Sequence, residues 1–134
     1  MHGRSTTAGH HLARILVADD EAEIRVALRL VLEAAGHDVL EASDGAVALK
    51  AFAATPTDLV LCDLFMPTKD GLETIVELVR RFPDAKIIAM SGGGATGLVG
   101  LLPAARRLGA AAVIHKPFRA AELLEVIRGV LETR

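Results

Sequence analysis

Acidic, hydroxyl and ammonium side chains recur at one kind of place in this chain, directly after a short apolar run. Asp19 and Asp20 follow Ile15-Leu16-Val17-Ala18, and Asp63 follows Leu59-Val60-Leu61-Cys62. Ser91 follows Lys86-Ile87-Ile88-Ala89-Met90, and Lys116 follows Ala111-Ala112-Val113-Ile114-His115. If these runs are strands of one parallel sheet, the five side chains share its carboxyl edge, where open sheets bind ligands. Three carboxylates gathered there repel: two unit charges about 4 Å apart cost roughly 4 kcal/mol at an effective dielectric near 20. Such a cluster sheds protons or takes up a cation. Oxygen ligands without Cys or His suit a hard cation, Mg²⁺ with several retained waters. A carboxylate held against that cation can attack an electrophilic phosphorus. Lys116 and the Ser91 hydroxyl would then bind the transferred phosphoryl oxygens as charge builds on them.

Each of these residues also has a plainer role. Asp20 with Glu23 fits a capping box at the start of a helix, a role compatible with metal binding. Asp63 alone could cap a loop, Ser91 could be a turn serine and Lys116 a solvated loop lysine. Together those readings need several independent accidents at one edge of one sheet, and as a set they are rejected. Cys62 reads as a small buried core residue, and His37 and His115 as surface or edge residues.

The runs that end on these residues alternate with helical patterns. Ile24, Leu28, Val31, Leu32 and Ala35 recur at helical spacing, and Gly36 stops them. Asp38-Val39-Leu40-Glu41-Ala42 alternates as a half-exposed edge strand does. A short helix is predicted from about Asp44 to Ala53, and another after Gly71 up to about Pro83. A fourth helix is expected only from about Leu101, with Pro103 tolerable in its first turn. The last carries Leu123, Ile127, Val130 and Leu131 nearly to Arg134. Five strand–helix pairs imply an α/β doubly wound parallel sheet covered on both faces.

Composition narrows the function. The chain has 134 residues, is 51% hydrophobic and carries a formal net charge of −2, which fits one folded domain and not a disordered chain. Its single cysteine excludes an intrachain disulfide framework. Aromatic residues make up 3%, with no Trp or Tyr, too few for a single-stranded nucleic-acid platform. A near-neutral charge leaves no electrostatic footprint for DNA. The apolar runs fall well short of the roughly 20 residues that cross a membrane. Residues 1–12 read as a flexible tail, where His2, His10 and His11 suit a disordered extension better than a metal site. The domain is expected over residues 13–134. A lone cysteine without an export signal suits a reducing cytoplasm.

The sequence resembles the receiver domains of bacterial two-component response regulators. The resemblance rests on the acidic pair Asp19-Asp20, on Asp63-Leu64-Phe65-Met66-Pro67-Thr68-Lys69-Asp70-Gly71, on Ser91 and on Lys116-Pro117-Phe118. It covers residues 13–134 and implies a flavodoxin-like (βα)5 fold with strand order 2-1-3-4-5. It implies that Asp63 accepts a phosphoryl group from the histidine of a sensor kinase or a phosphotransfer protein. Mg²⁺ would be held by Asp20, Asp63 and the backbone carbonyl of Phe65, with Asp19 acting through a water. Lys116 would pair with the phosphoryl group and precede a cis Pro117, and Ser91 would report phosphorylation to a downstream protein partner. With the domain filling the chain, a stand-alone receiver is expected.

Two departures from the family pattern bear on the readout. The position three before the lysine, often aromatic in the family, is Val113, whose branched side chain cannot make an aromatic ring's inward swing. Twenty-five positions separate Ser91 from Lys116, a few more than usual, and the surplus falls in a segment with glycines 92, 93, 94, 97 and 100. That segment is expected to be mobile, the fourth helix short or late, and the switch to rest on Ser91 ordering the loop. Two other classes compete. A Mg²⁺-dependent phosphohydrolase would need a general acid–base beyond Asp19 and Asp20. A flavodoxin-like cofactor binder would set an anionic cofactor against three carboxylates.

Overall fold

The computed structural model describes residues 13–66, 71–91 and 101–133. The N-terminal tail, Pro67 to Asp70 and the glycine segment 92–100 therefore lie outside the described residues, as do the expectations placed on them.

Five parallel strands, β1 (Arg14–Ala18), β2 (Asp38–Ala42), β3 (Leu59–Asp63), β4 (Ile87–Ser91) and β5 (Ala112–His115), form one sheet in the order β2-β1-β3-β4-β5. The helices between and after them are α1 (Ala22–Ala34), α2 (Gly45–Ala54), α3 (Gly71–Arg81), α4 (Leu101–Leu108) and α5 (Ala120–Glu132). The order agrees with the one the family resemblance implies, and β2 is an edge strand, as its alternation predicted. At eight residues α4 is short. Strand and helix ends otherwise fall within a residue or so of the expected positions.

Strand periodicity sorts the core into two halves. Ile15 and Val17, Leu59 and Leu61, Ile88 and Met90 pack with Leu28 and Leu32 of α1 and Leu123 and Ile127 of α5. Their neighbours Leu16, Ala18, Val60, Cys62, Ile87 and Ala89 turn the other way, against α2, α3 and α4. The inner strands are buried on both faces, which is why they read as unbroken apolar runs. Cys62 is fully buried, as expected, and His37 acts structurally, its Nδ1 accepting the Ala13 N–H at 3.2 Å.

Local signals explain the helix ends. Gly36 takes φ 98°, and the N–H groups of Gly36 and His37 donate to the carbonyls of Glu33 and Leu32, a Schellman closure of α1. Asp44 caps α2 by accepting the Val47 N–H at 2.9 Å. The start of α1 corrects the sequence reading. Asp20 does not cap it: Glu21 holds the cap position without a side-chain bond, and the Glu21 N–H donates instead to Asp19 Oδ1 at 2.9 Å. The capping box fails because α1 begins later than the pattern suggests, and the first carboxylate, not the second, folds back on the turn.

At the start of α3, Gly71 meets the backbone of β3. A Cβ there would sit 2.3 Å from the Asp63 carbonyl oxygen and 2.4 Å from Leu64 Cα. Only glycine allows that approach, and the displaced atoms would be backbone, which cannot swing aside. Gly71→Ala is expected to destabilise the protein by about 1–3 kcal/mol, the range of overpacking in a closed core. Denaturant unfolding measures it, and an unchanged midpoint would contradict the contact.

Candidate functional site

The sheet brings the carboxyl ends of β1, β3, β4 and β5 into line. Asp19 follows β1 and its N–H still donates to Ala42 on β2 at 3.1 Å; Asp63 is the last residue of β3. The Lys116 N–H, just beyond β5, donates to the Ser91 carbonyl at 2.7 Å, so each strand end is pinned to its neighbour. Ligand oxygens of Asp19, Asp20 and Asp63 all lie within 4.8 Å of one another. Among the described residues, this is the one cluster of potential metal ligands.

The three carboxylates are held differently. Asp19 is fully buried, its Oδ1 taking the Glu21 N–H and its Oδ2 the Lys116 ammonium at 2.8 Å. Asp63 is buried too, accepting the Phe65 N–H at 3.3 Å, with Lys116 Nζ 3.8 Å from its Oδ2. Asp20 is exposed. Both Asp19 oxygens are therefore hydrogen-bonded, while Asp63 Oδ2 has only the longer ion pair with Lys116 and Asp20 faces solvent, which leaves these two better able to meet a cation.

Burial pushes the Asp63 carboxyl up from 3.8 to about 6. Lys116 and the Phe65 N–H pull it down, and Asp19 and Asp20 add to the rise. The group remains mostly ionised near neutrality while being more basic, and so more nucleophilic, than an ordinary aspartate. An all-oxygen set with surplus negative charge fits a hard divalent cation such as Mg²⁺.

Ser91 is buried at the end of β4, and Val113 is half-buried beside Ala89, packed against the α2–α3–α4 side of the core. The Lys116–Pro117 bond is cis, as the resemblance implies. Two features were not legible in sequence. A groove of about 810 Å³ opens beside the carboxylates, with Ile24, Leu28, Phe118 and Leu123 among its apolar walls and Phe65 near its acidic end. Arg25, on α1, donates from Nη1 to the Asp19 carbonyl at 2.7 Å and from Nε to Glu41 of β2 at 3.1 Å. Its helical spacing gave no sign of this, because both acceptors come from other elements. Among the described residues, no helix is long and apolar enough to cross a membrane.

Comparison with known proteins agrees with this geometry. A family model, the response regulator receiver domain, matches residues 15–128. The chain is 33% identical over 118 residues to the chemotaxis protein CheY of Thermotoga maritima, covering 87% of this chain and 96% of that one. It is 35% identical to the DNA-binding transcriptional regulator NtrC of Azospirillum brasilense, of which it spans 24%. Among solved structures, the receiver domain of NtrX from Brucella abortus superposes with a TM-score of 0.83 at 34% identity, covering 90% of this chain and 99% of that one. The longer NtrX chain of the same organism is spanned over 27% of its length, with a TM-score of 0.85. By the family match and these relatives, the chain belongs to the response regulator receiver domains of two-component signalling.

Proposed function

We propose that Asp63 accepts a phosphoryl group from a phosphohistidine of a sensor histidine kinase or phosphotransfer protein, and that a downstream protein reads the result. The observation that carries this is one buried, basic carboxylate that stands within an acidic cluster and 3.8 Å from the Lys116 ammonium. An Asp63 oxygen attacks phosphorus, the P–N bond breaks, its electron pair stays on the imidazole, and that nitrogen takes a proton from water. Asp20, Asp63 and the Phe65 carbonyl would hold Mg²⁺, with Asp19 acting through a water. When bound, the cation supplies positive charge against the phosphoryl oxygens as they crowd the carboxylates.

Lys116 stabilises the charge that develops on the transferred group, moving its grip from Asp19 toward the phosphoryl oxygens. Ser91, buried beside it, donates its hydroxyl to the same group and carries the readout. Val113 has no ring to swing, so the response rests on Ser91. The apolar groove beside Asp63 suits a protein donor, whose side chains can cover it. The role is regulatory, with catalysis limited to the protein's own phosphotransfer and dephosphorylation, and a reducing cytoplasm is its expected setting. The reading involves no direct contact with nucleic acid or membrane.

Incubation with acetyl phosphate and Mg²⁺, read by intact-mass spectrometry, is expected to add one phosphoryl group to the wild type and none to Asp63→Asn. Asp20→Asn should need at least about tenfold more Mg²⁺ for the same labelling. Equal labelling of wild type and Asp63→Asn would overturn the assignment.

The raised Asp63 value also predicts a stability effect in the metal-free protein. The native state holds this proton more tightly than the unfolded chain, so its contribution is full below about pH 4 and is lost as pH rises through about 6. In a chelating buffer at pH 8, Asp63→Asn is expected to be more stable than wild type by about 1–3 kcal/mol. The gap should close toward pH 4. Chemical denaturation at the two pH values measures it, and a variant less stable at pH 8 would contradict the burial cost.

A further inference from the structure

We propose that Arg25 is a positioning residue, which grips the Asp19 carbonyl from α1 and thereby sets the direction in which the Asp20 carboxylate meets Asp63. The inference rests on the reading of the acidic cluster as a Mg²⁺ site. The β1–β2 ladder ends with the Asp19 N–H on Ala42. The next peptide, joining Asp19 to Asp20, leaves the sheet, and its carbonyl takes Arg25 Nη1 at 2.7 Å. The same guanidinium gives Nε to Glu41 Oε1 at 3.1 Å, while the other Glu41 oxygen takes Arg29 Nε at 2.6 Å. One planar fork therefore ties the end of β1 to the neighbouring strand β2, and its side chain is only 17% exposed.

The grip matters most for Asp20. Asp19 is fixed through its own carboxylate, by Glu21 N–H and Lys116. Asp20 is exposed, so the aim of its side chain follows the peptide that carries it. Releasing the Asp19 carbonyl frees that peptide to rotate, and a ligand that must be found and ordered binds a cation more weakly than one held in place. Lysine cannot replace the fork, because a single ammonium does not span two acceptors in fixed geometry. Arg29 is the internal control: it shares Glu41 and also pairs with Glu33 at 2.8 Å, one turn further along α1.

The test is Mg²⁺ titration by calorimetry on wild type, Arg25→Ala, Arg25→Lys and Arg29→Ala, with hydrogen exchange of the Glu21 amide in chelating buffer. Arg25→Ala is expected to weaken Mg²⁺ about tenfold, as loss of an outer-shell partner does, and to speed Glu21 exchange severalfold. Arg29→Ala should stay within about twofold of wild type in both readings. Arg25→Lys keeps a positive charge against Glu41 for folding yet should lose Mg²⁺ affinity, so it serves if the alanine variant unfolds. Wild-type affinity in folded Arg25 variants, or an equal loss in Arg29→Ala, would overturn the proposal. A wild type that binds no Mg²⁺ would instead remove the metal reading, and with it this inference.

Discussion

Three carboxylates whose oxygens lie within 4.8 Å repel one another, and the architecture around them compensates that repulsion without removing it. Lys116 closes on Asp19 at 2.8 Å, across a separation of 97 residues in the chain, and stands 3.8 Å from Asp63. The Glu21 and Phe65 amides take up one oxygen each of Asp19 and Asp63. Burial above all, with the neighbouring Asp19 and Asp20 carboxylates adding to it, raises the proton affinity of Asp63, while Asp20 stays open to solvent. A site poised in this way gains from any added positive charge, which is the physical basis for reading it as a cation-assisted phosphoacceptor.

The compensation works because the sheet is a rigid comb. Parallel register sets Ala18 beside Cys62 and Asp63 beside Met90, so residues just past the strand ends arrive at one level. Backbone bonds beyond the regular ladder, Leu64 N–H to Met90 and Lys116 N–H to Ser91, hold the level one residue further. Gly71 serves the same end from the other side, letting α3 start against the carbonyl of Asp63 with no side chain between. A displaced strand end would change the carboxylate spacing directly, and electrostatic interactions at these distances vary steeply with position.

Most of the fold was readable in sequence because buried parallel strands and amphipathic helices leave distinct periodicities. The stretches 15–18, 59–62 and 87–90 are apolar throughout, since both faces of these inner strands meet helices, whereas the edge strand β5 ends on the exposed His115. The site residues were readable for a related reason: charged side chains directly after such runs are costly unless they gather. The capping of α1 was not readable. Asp20 and Asp19 both have the chemistry to close that turn, and only the path of the chain leaving β1 decides that Asp19 does so. Arg25 was invisible in the same way, as one more polar residue on an amphipathic helix.

The sequence alone determined which groups stand at the carboxyl edge and how many strands carry them: three carboxylates, a hydroxyl and a lysine. Those properties are local, because composition and period are written residue by residue. Tertiary structure decided how the charges are shared: that Lys116 sits nearer Asp19 than Asp63, that Arg25 bridges Glu41 and the end of β1, and that Asp63 is basic while Asp20 is open. Each of these depends on distances of a few ångströms between elements far apart in the chain. Coulombic and hydrogen-bond energies are set by those distances, which periodicity does not carry.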